Sequence, residues 1–339
     1  MSSQISRQIV LAARPQGRPT KSDFRLEEVE IPSPSSGQVL LSVRYLSLDP
    51  YMRGRMDDRQ SYAPPTPVGD VMPGETVAEV VASNNPGYVA GDIVASRTGW
   101  RSLALSDGQG LRKLDPKLAP ITTALGVLGM PGFTAYGGLI NIGRPKKGET
   151  VAVAAASGPV GSLVGQLARR AGARAVGIAG GMDKCAYVRD ELGFDAVIDH
   201  RADDFPAQLK AACPNGIDVY FENVGGAVWQ AVLPLLNDFA RVPVCGTIAT
   251  YNRRDGELAQ DHLPATISAI LAKRLTLRGF LNYDYAEQFS DFLREVGSGI
   301  ADGTIRYRED IVDGLENAPD AFMGMLEGKN FGKLLIRMP

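Results

Sequence analysis

Residues 150–180 read TVAVAAASGPVGSLVGQLARRAGARAVGIAG, and little except a strand, a helix and a second strand can be built from them. The apolar run 151–153 leads into a turn of small residues. Beyond it Val160, Leu163, Val164 and Leu167 recur at helical spacing, and 175–179 is apolar and strand-like again. This is one βαβ unit, the repeating element of a parallel sheet covered by helices. Gly158 and Gly161 fall where strand becomes helix, so the backbone can approach a bound anion and offer it the unpaired N–H groups of the helix start. With Ala156 in place of a first glycine and Pro159 inside the turn, the string is A-x-G-x-x-G, a variant of the dinucleotide fingerprint. The alternative is a glycine-rich turn with no ligand. The flanking strand, the span and the second strand are the context that the fingerprint requires.

The end of the second strand bears on which dinucleotide. An NAD-preferring site usually carries an acid there to accept the ribose hydroxyls. Here stand Gly180, Gly181, Met182, Asp183 and Lys184: no carboxylate at the strand tip, room left by two glycines, and a lysine able to make a charge-assisted contact to a phosphate. NADP(H) is therefore expected over NAD. Asp183 has two further readings, an N-cap for a helix starting near Lys184 or a partner of the ribose.

At 339 residues, with 44% apolar and 22% charged side chains, the chain has the composition of a globular protein and the length for two domains. A net charge of −2 and the absence of a basic arm argue against nucleic acid; the dipeptide Arg253–Arg254 reads as solvated loop. The first residues lack the apolar centre of a signal peptide, and no apolar stretch approaches about 18 residues, so a cytoplasmic protein without membrane contact is expected. Cys185, Cys213 and Cys245 are scattered, which suits small buried or half-buried residues better than a disulfide framework.

Two kinds of pattern divide the chain. Up to about residue 125 it is rich in Pro, Gly and short strand-like runs, at 8–12, 24–30, 38–46, 76–83 and 92–98, as a small barrel or partly open β-structure would be. From residue 121 onward strands alternate with helices: strand 196–199, helix 203–212, strand 219–222, helix 227–236, strand 240–245, helix 264–273 and strand 275–280. The tail is strand-like again at 305–312 and 333–337 and is expected to return to the first domain. The predicted class is α/β, a doubly wound parallel sheet at 126–304 and a small β-barrel domain at 1–125 completed by 305–339.

Local strings carry a resemblance. They are Leu48-Asp49-Pro50-Tyr51-Met52-Arg53, Gly129-Met130-Pro131-Gly132-Phe133-Thr134-Ala135-Tyr136, Ala155-Ala156-Ser157-Gly158-Pro159-Val160-Gly161, Gly180-Gly181-Met182-Asp183-Lys184-Cys185, Phe221-Glu222-Asn223-Val224-Gly225-Gly226 and Ala321-Phe322-Met323-Gly324-Met325-Leu326. In content and order they resemble the medium-chain dehydrogenase/reductase superfamily, and within it the zinc-independent prostaglandin reductase, or leukotriene B4 12-hydroxydehydrogenase, group, which includes bacterial NADPH-dependent curcumin reductases. The resemblance implies a Rossmann domain joined to a GroES-like barrel.

Other members of that superfamily use zinc, which needs three protein ligands for catalysis or four clustered cysteines for a structural lobe. The G-H-E string of the zinc enzymes appears here as Pro73-Gly74-Glu75, only His200 and His262 exist, and no C-x-x-C pair occurs. No metal is expected. The resemblance implies instead hydride transfer from NADPH to the β-carbon of an α,β-unsaturated ketone or aldehyde, giving an enolate. Such a site must hold both reactants in near-attack geometry and offer donors to the developing oxyanion, each commonly worth about 10²–10³ in rate. A phenol suits that task.

Tyr51, in the Asp-Pro-Tyr-Met-Arg string, and Tyr251, beyond the carboxyl end of strand 240–245, are the catalytic candidates; the alternative for each is an ordinary half-buried aromatic. Tyr62, Tyr283 and Tyr285 match no motif. For the cofactor, the resemblance implies Ser157, Gly158, Pro159, Val160 and Gly161 at the pyrophosphate and Lys184 at the 2′-phosphate. It puts Asn223 on the ribose or nicotinamide side, with Cys245, Gly246, Thr247, Tyr251, Phe280, Asn282 and Asn330 as further contacts. His200 stands where many mammalian members carry tyrosine, and Arg201 beside it could strengthen NADP binding. Asn223 as a turn former and Lys184 as a solvated helix-start charge stay open. A homodimer through the strand 275–280 and a small hydrophobic carbonyl substrate are also implied, with acceptor shape set by the loops 53–68 and 251–262. Two other functions remain: an NADPH:quinone oxidoreductase and a non-catalytic NADPH-binding sensor.

Overall fold

The computed structural model describes residues 4–253 and 261–339; Arg254 and most of the 251–262 loop lie outside the described residues. The chain forms two compact units. One holds the chain up to Gly126 together with Glu309–Pro339, the other Val127–Tyr251 and the chain that runs from residue 261 to Arg308.

The first unit begins with β1 (Gln4–Leu11) antiparallel to β2 (Phe24–Ile31). There follow β3 (Val39–Ser47), the short helix α1 (Tyr51–Arg55), β4 (Thr76–Ser83), β5 (Ile93–Ser96), β6 (Leu103–Ser106) and β7 (Arg112–Leu114). β6 and β7, four and three residues long, are too short for a two-residue period to register in the sequence. Trp100 anchors this core, stacked on Phe24 with centroids 5.7 Å apart and meeting the edge of Phe322 at 5.7 Å.

The second unit starts with α2 (Met130–Gly138) and continues as β8 (Thr150–Ala154), α3 (Pro159–Arg170), β9 (Arg174–Ala179), α4 (Met182–Ala186), β10 (Ala196–Asp199), α5 (Phe205–Ala212), β11 (Ile217–Phe221), α6 (Gly226–Val232), β12 (Leu236–Val244), α7 (Leu263–Lys273), β13 (Thr276–Gly279) and α8 (Phe289–Ala301). Its strands are parallel, in the order β10-β9-β8-β11-β12-β13. The chain steps outward from β8 to β10, then returns to the far side of β8, so the winding reverses between β8 and β11. In sheets of this kind ligands bind outside the carboxyl ends of the strands at that reversal. α3 lays Leu163 and Val164 into the sheet, each essentially inaccessible and each worth about 1.5–3 kcal/mol of burial.

Several sequence-based boundaries shift, and the strand expected over 8–12 already begins at Gln4. The helix expected over 227–236 stops at Val232, because Pro234 brings no N–H to the next turn and Leu236 already belongs to β12. The strand expected from residue 240 starts at Leu236, but pairing with β11 jumps from Ile217↔Leu236 to Val219↔Arg241. Phe239, at φ 62°, sits in this irregular stretch, behind the polar pair Asn237–Asp238 that breaks the apolar pattern. The strand expected over 305–312 is confined to β14 (Glu309–Asp313); Ile305 is instead buried in the second unit, its N–H donating to the Gly299 carbonyl of α8 at 2.7 Å.

The chain then re-enters the first unit through β14, α9 (Ala318–Leu326) and β15 (Lys333–Arg337). The sheet order is β14-β15-β3-β4-β5-β7, with β6 also paired to β3, so a C-terminal strand lies between β14 and an N-terminal one.

Candidate active site

The turn after β8 is made by backbone. Ala155 takes the left-handed conformation at φ 52°, a geometry that costs a non-glycine residue about 1–2 kcal/mol. Its carbonyl accepts the Gly158 N–H at 2.9 Å, and the Ala156 N–H goes to the Ile178 carbonyl at 3.0 Å. The residue that needs unusual freedom is therefore Ala155, and Ala156, fully buried, can replace the fingerprint's first glycine without strain. A Cβ on Gly161 would stand 2.4 Å from the Ala155 oxygen and 2.9 Å from the Ala156 Cα, so only glycine closes this turn. Gly158 caps α3 with no side-chain hydrogen bond, and Pro159 fills the first helical position, where no N–H is needed. Ser157 is buried, while Gly158, Pro159 and Val160 are half-exposed at the helix start. Backbone donors there, an open face at Gly158 and the positive end of a 12-residue helix fit a pyrophosphate.

The rim after β9 is made by side chains. Gly181, at φ 94°, caps α4 and donates its N–H to Asp199 Oδ1 at 3.0 Å; the same oxygen accepts the Arg201 N–H at 2.9 Å. A Cβ on Gly180 would meet His200 Nε2 at 2.8 Å and Arg201 Nε at 3.1 Å, and one on Gly181 would meet Arg201 at 3.6 Å. Two cationic or ionisable side chains from the loop after β10 therefore pack against this glycine pair, and Lys184 lies close enough to act on His200. Surrounding protein lowers the His200 pKa, the charges of Arg201 and Lys184 add to that, and Asp199 opposes it. Burial works to raise the Asp199 pKa, but the N–H groups of Gly181 and Arg201 outweigh it and hold the carboxyl below its ordinary value. β9 itself ends without an acid, and the neighbouring carboxylate that does arrive is committed to backbone N–H groups. Asp183 is exposed in the first turn of α4 and does not cap it. The set fits a phosphate on the ribose.

Between these turns, at the reversal of the winding, Asn223 joins the two central strand ends: its Nδ2 donates to the Ala154 carbonyl at 2.8 Å. Glu222 is buried beside it. Its Oε1 accepts the Val224 and Gly225 N–H groups at 2.7 and 2.9 Å and the Tyr220 hydroxyl at 3.1 Å, and burial pushes its pKa up. The Glu222 carbonyl accepts the N–H groups of Cys245 and Gly246 at 2.9 and 3.2 Å, tying the end of β12 to the end of β11. The Cys245 thiol is pushed up to about 12 by burial and by Glu222, so it is no thiolate at neutral pH. Tyr251 turns back over this segment; Thr247 N–H donates to its hydroxyl at 3.4 Å. Phe280 is a core residue, edge-on to Phe221 at 6.1 Å, and half-buried Asn282 opens the turn after β13. Tyr285 is buried and its hydroxyl has no hydrogen-bond partner among the described residues, whereas Tyr283 is exposed.

In the first unit Tyr51 opens α1, with the Arg55 guanidinium 5.8 Å from its ring and 4.7 Å from that of exposed Tyr62. Burial raises the Tyr51 phenol pKa well above its ordinary value, and the carboxylates of Asp49 and Glu75 raise it further. Asp49 is almost inaccessible and paired to Lys333 of β15 at 2.6 Å; Lys333 also donates to the Leu48 carbonyl at 2.8 Å, and Ser47 to Asp49. Asn330 lies in this unit too, its amide donating to the Gly332 carbonyl at 2.9 Å.

Asp199, Glu222, Ala155 and the Asp49–Lys333 pair were not singled out by sequence reasoning. Asp199 and Glu222 each stand at the last position of an expected strand, which was the available signal. At Gly74, the position of the zinc enzymes' histidine, a Cβ would already be 2.8 Å from Leu46 Cδ1 and 3.3 Å from Met52 and Trp100, leaving no room for an imidazole. Among the described residues no three His, Cys, Asp or Glu side chains gather where they could hold a metal ion. No helix among them is long and apolar enough to cross a membrane.

Residues 7–114 match a family described as the N-terminal domain of oxidoreductase, and residues 159–298 one described as zinc-binding dehydrogenase. Over 336 residues the chain is 53% identical to the NADPH-dependent curcumin reductase of Escherichia coli (strain K12), a match covering 99% of this chain and 97% of that protein. It is 41% identical over 322 residues to prostaglandin reductase 1 of Oryctolagus cuniculus, covering 94% and 89%. The crystal structure of CurA in complex with NADPH from Vibrio vulnificus superposes with a TM-score of 0.95 at 51% identity, covering 98% of this chain and 99% of that one. The architecture is accordingly a Rossmann-type doubly wound sheet plus a GroES-like β-barrel domain. At these identities over nearly the whole length, the chain belongs to the medium-chain dehydrogenase/reductase superfamily, in its zinc-independent prostaglandin reductase and curcumin reductase group.

Proposed function

We propose that the chain is an NADPH-dependent reductase of the carbon–carbon double bond of α,β-unsaturated ketones and aldehydes. The observation that carries this reading is the rim of Lys184, His200 and Arg201 around Gly180 and Gly181, with Asp199 turned onto backbone N–H groups. Such a rim suits a 2′-phosphate and gives a bare ribose no acceptor. Relatives named as curcumin and prostaglandin reductases support the acceptor class, since curcumin is itself a conjugated enone.

When bound, NADPH supplies the hydride. The chain's residues hold and polarise. Ser157, Gly158, Pro159, Val160 and Gly161 present the helix start to the pyrophosphate, and Asn223 with the Cys245–Gly246–Thr247 segment forms the floor at the switch point. Charge developing on the acceptor's carbonyl oxygen needs a hydrogen-bond donor. Tyr51 suits that part because burial and the charges of Asp49 and Glu75 keep its phenol protonated at neutral pH, a donor and not a base. Tyr251, held over Gly246, is the second candidate.

A steady-state assay following NADPH absorbance with enones, quinones and simple alcohols tests the reading. Turnover of enones is expected. Turnover with quinones alone makes it a quinone oxidoreductase, and no turnover with any acceptor leaves a sensor. Tyr51→Phe or Tyr251→Phe is expected to lower kcat by about 10²-fold with little change in NADPH affinity; unchanged kcat in both removes the proposed donors.

The same reading includes a homodimer. β13 is one edge of the parallel sheet, and α7, packed on its neighbour β12, exposes Leu263, Ile267 and Leu271, one apolar stripe at helical spacing. Its partner is a second copy. Analytical ultracentrifugation is expected to give a dimer that Leu271→Asp weakens; a wild-type monomer rejects this part.

A further inference from the structure

The proposed 2′-phosphate site contains one group that can change its charge near neutral pH. Lys184 and Arg201 supply positive charge, and Asp199 is an anion held by two backbone N–H groups. His200 alone is free to be either neutral or charged. Its Nε2 lies 2.8 Å from where a Gly180 Cβ would be, so the imidazole edge borders the space that the paired glycines leave open. The groups facing it are Arg201 on its own loop, Asp199 at the end of β10 and Lys184 on α4; Cys185 of α4 is buried and interacts with Asp199.

We propose that His200 couples cofactor choice to pH: it takes up a proton as the 2′-phosphate arrives, and the preference for NADP(H) over NAD(H) widens as the solution becomes more acidic. The inference rests on the NADPH reading above. In the free protein the imidazole sits among cations and gains little from a charge, consistent with its lowered pKa. A phosphate dianion against Nε2 reverses that balance, because the charged ring then makes a charge-assisted hydrogen bond where the neutral ring has a choice of tautomer. By linkage, a group whose pKa is higher in the complex than in the free protein binds protons on association, and affinity falls as pH rises through the interval between the two values. NAD(H), with no phosphate at this position, leaves His200 as it was. Since the 2′-phosphate loses its own second proton near pH 6, the informative window lies above that value.

Isothermal titration of NADP+ and NAD+ from pH 6.5 to 8, each in two buffers of different ionisation enthalpy, reads both the affinity ratio and the protons exchanged. The wild-type ratio of NADP+ to NAD+ affinity is expected to rise by about three- to tenfold on going from pH 8 to 6.5, with net proton uptake for NADP+ only. In His200→Gln, which keeps a hydrogen-bond donor, the ratio is expected to be flat and the uptake absent. Arg201→Gln should weaken NADP+ at every pH yet keep the slope. A strong but pH-independent NADP+ preference in the wild type, or an undiminished slope in His200→Gln, overturns the proposal and leaves the NADPH reading standing. No preference for NADP+ at any pH overturns both. Both substitutions lie on an exposed loop, and circular dichroism checks that the variants fold.

Discussion

The two turns at the carboxyl ends of β8 and β9 are built in opposite ways. The first is a backbone object: a left-handed Ala155, a glycine at 161 that tolerates no Cβ, and a helix start with no side-chain cap. The second is a side-chain object: Asp199 clamps two N–H groups, and His200 and Arg201 pack against a glycine pair, with Lys184 near enough to act on His200. Sterics fix the first in a single form, and it can recognise only what every dinucleotide shares. Charges set the second, so it can discriminate between dinucleotides and can be retuned without disturbing the core.

Substitutions at the two turns should separate these contributions. Gly161→Ala places a methyl group against the Ala155 carbonyl, and an overpacking cost of about 3 kcal/mol is expected in chemical denaturation, together with lost affinity for both NADP+ and NAD+. An alanine accepted there at no cost would show that the turn is not sterically fixed. Lys184→Ala should raise the NADP+ Kd by about tenfold, a loss near 1.4 kcal/mol, with NAD+ affinity and the unfolding midpoint unchanged. Equal losses for the two dinucleotides would deny the rim its selective role. The smallest effect is expected from Ala155→Gly. Relief of the left-handed strain is offset by the greater freedom of glycine in the unfolded chain, so stability should move by less than about 1 kcal/mol.

What could be read from the sequence follows the same division. The β8–α3–β9 unit was legible because local pattern determines it: a buried apolar run, a small-residue turn and helical periodicity all lie within a few dozen adjacent residues. Lys184 was legible from its place after the second strand, and His200 and Arg201 as residue types through a family resemblance. Their convergence was not, because Gly180 and Arg201 are brought together only by the pairing of β9 with β10. Asp199 was hidden for the same reason; nothing in its neighbours says that its carboxylate will cap a turn 18 positions earlier. In the other unit Lys333 reaches Asp49 across 284 residues, a separation that no local period encodes. β12 was misplaced at its start because polar Asn237 and Asp238 follow Leu236 and interrupt the apolar run that would have announced it, and the left-handed Phe239 beyond them is exposed beneath the Arg274 guanidinium.

That last strand, β15, also bears on how the molecule is made. It pairs with β3 and supplies the lysine that neutralises buried Asp49 beside Tyr51. During synthesis a ribosome completes the whole of the inserted parallel-sheet unit before β15 emerges, while β3, made long before and able to pair with β4 and β6, still lacks its third partner and Asp49 its counter-charge. The unit that begins first is thus the one that closes last. Shortening the C-terminus by a few residues would strike at the Tyr51 loop, near the opposite end of the chain.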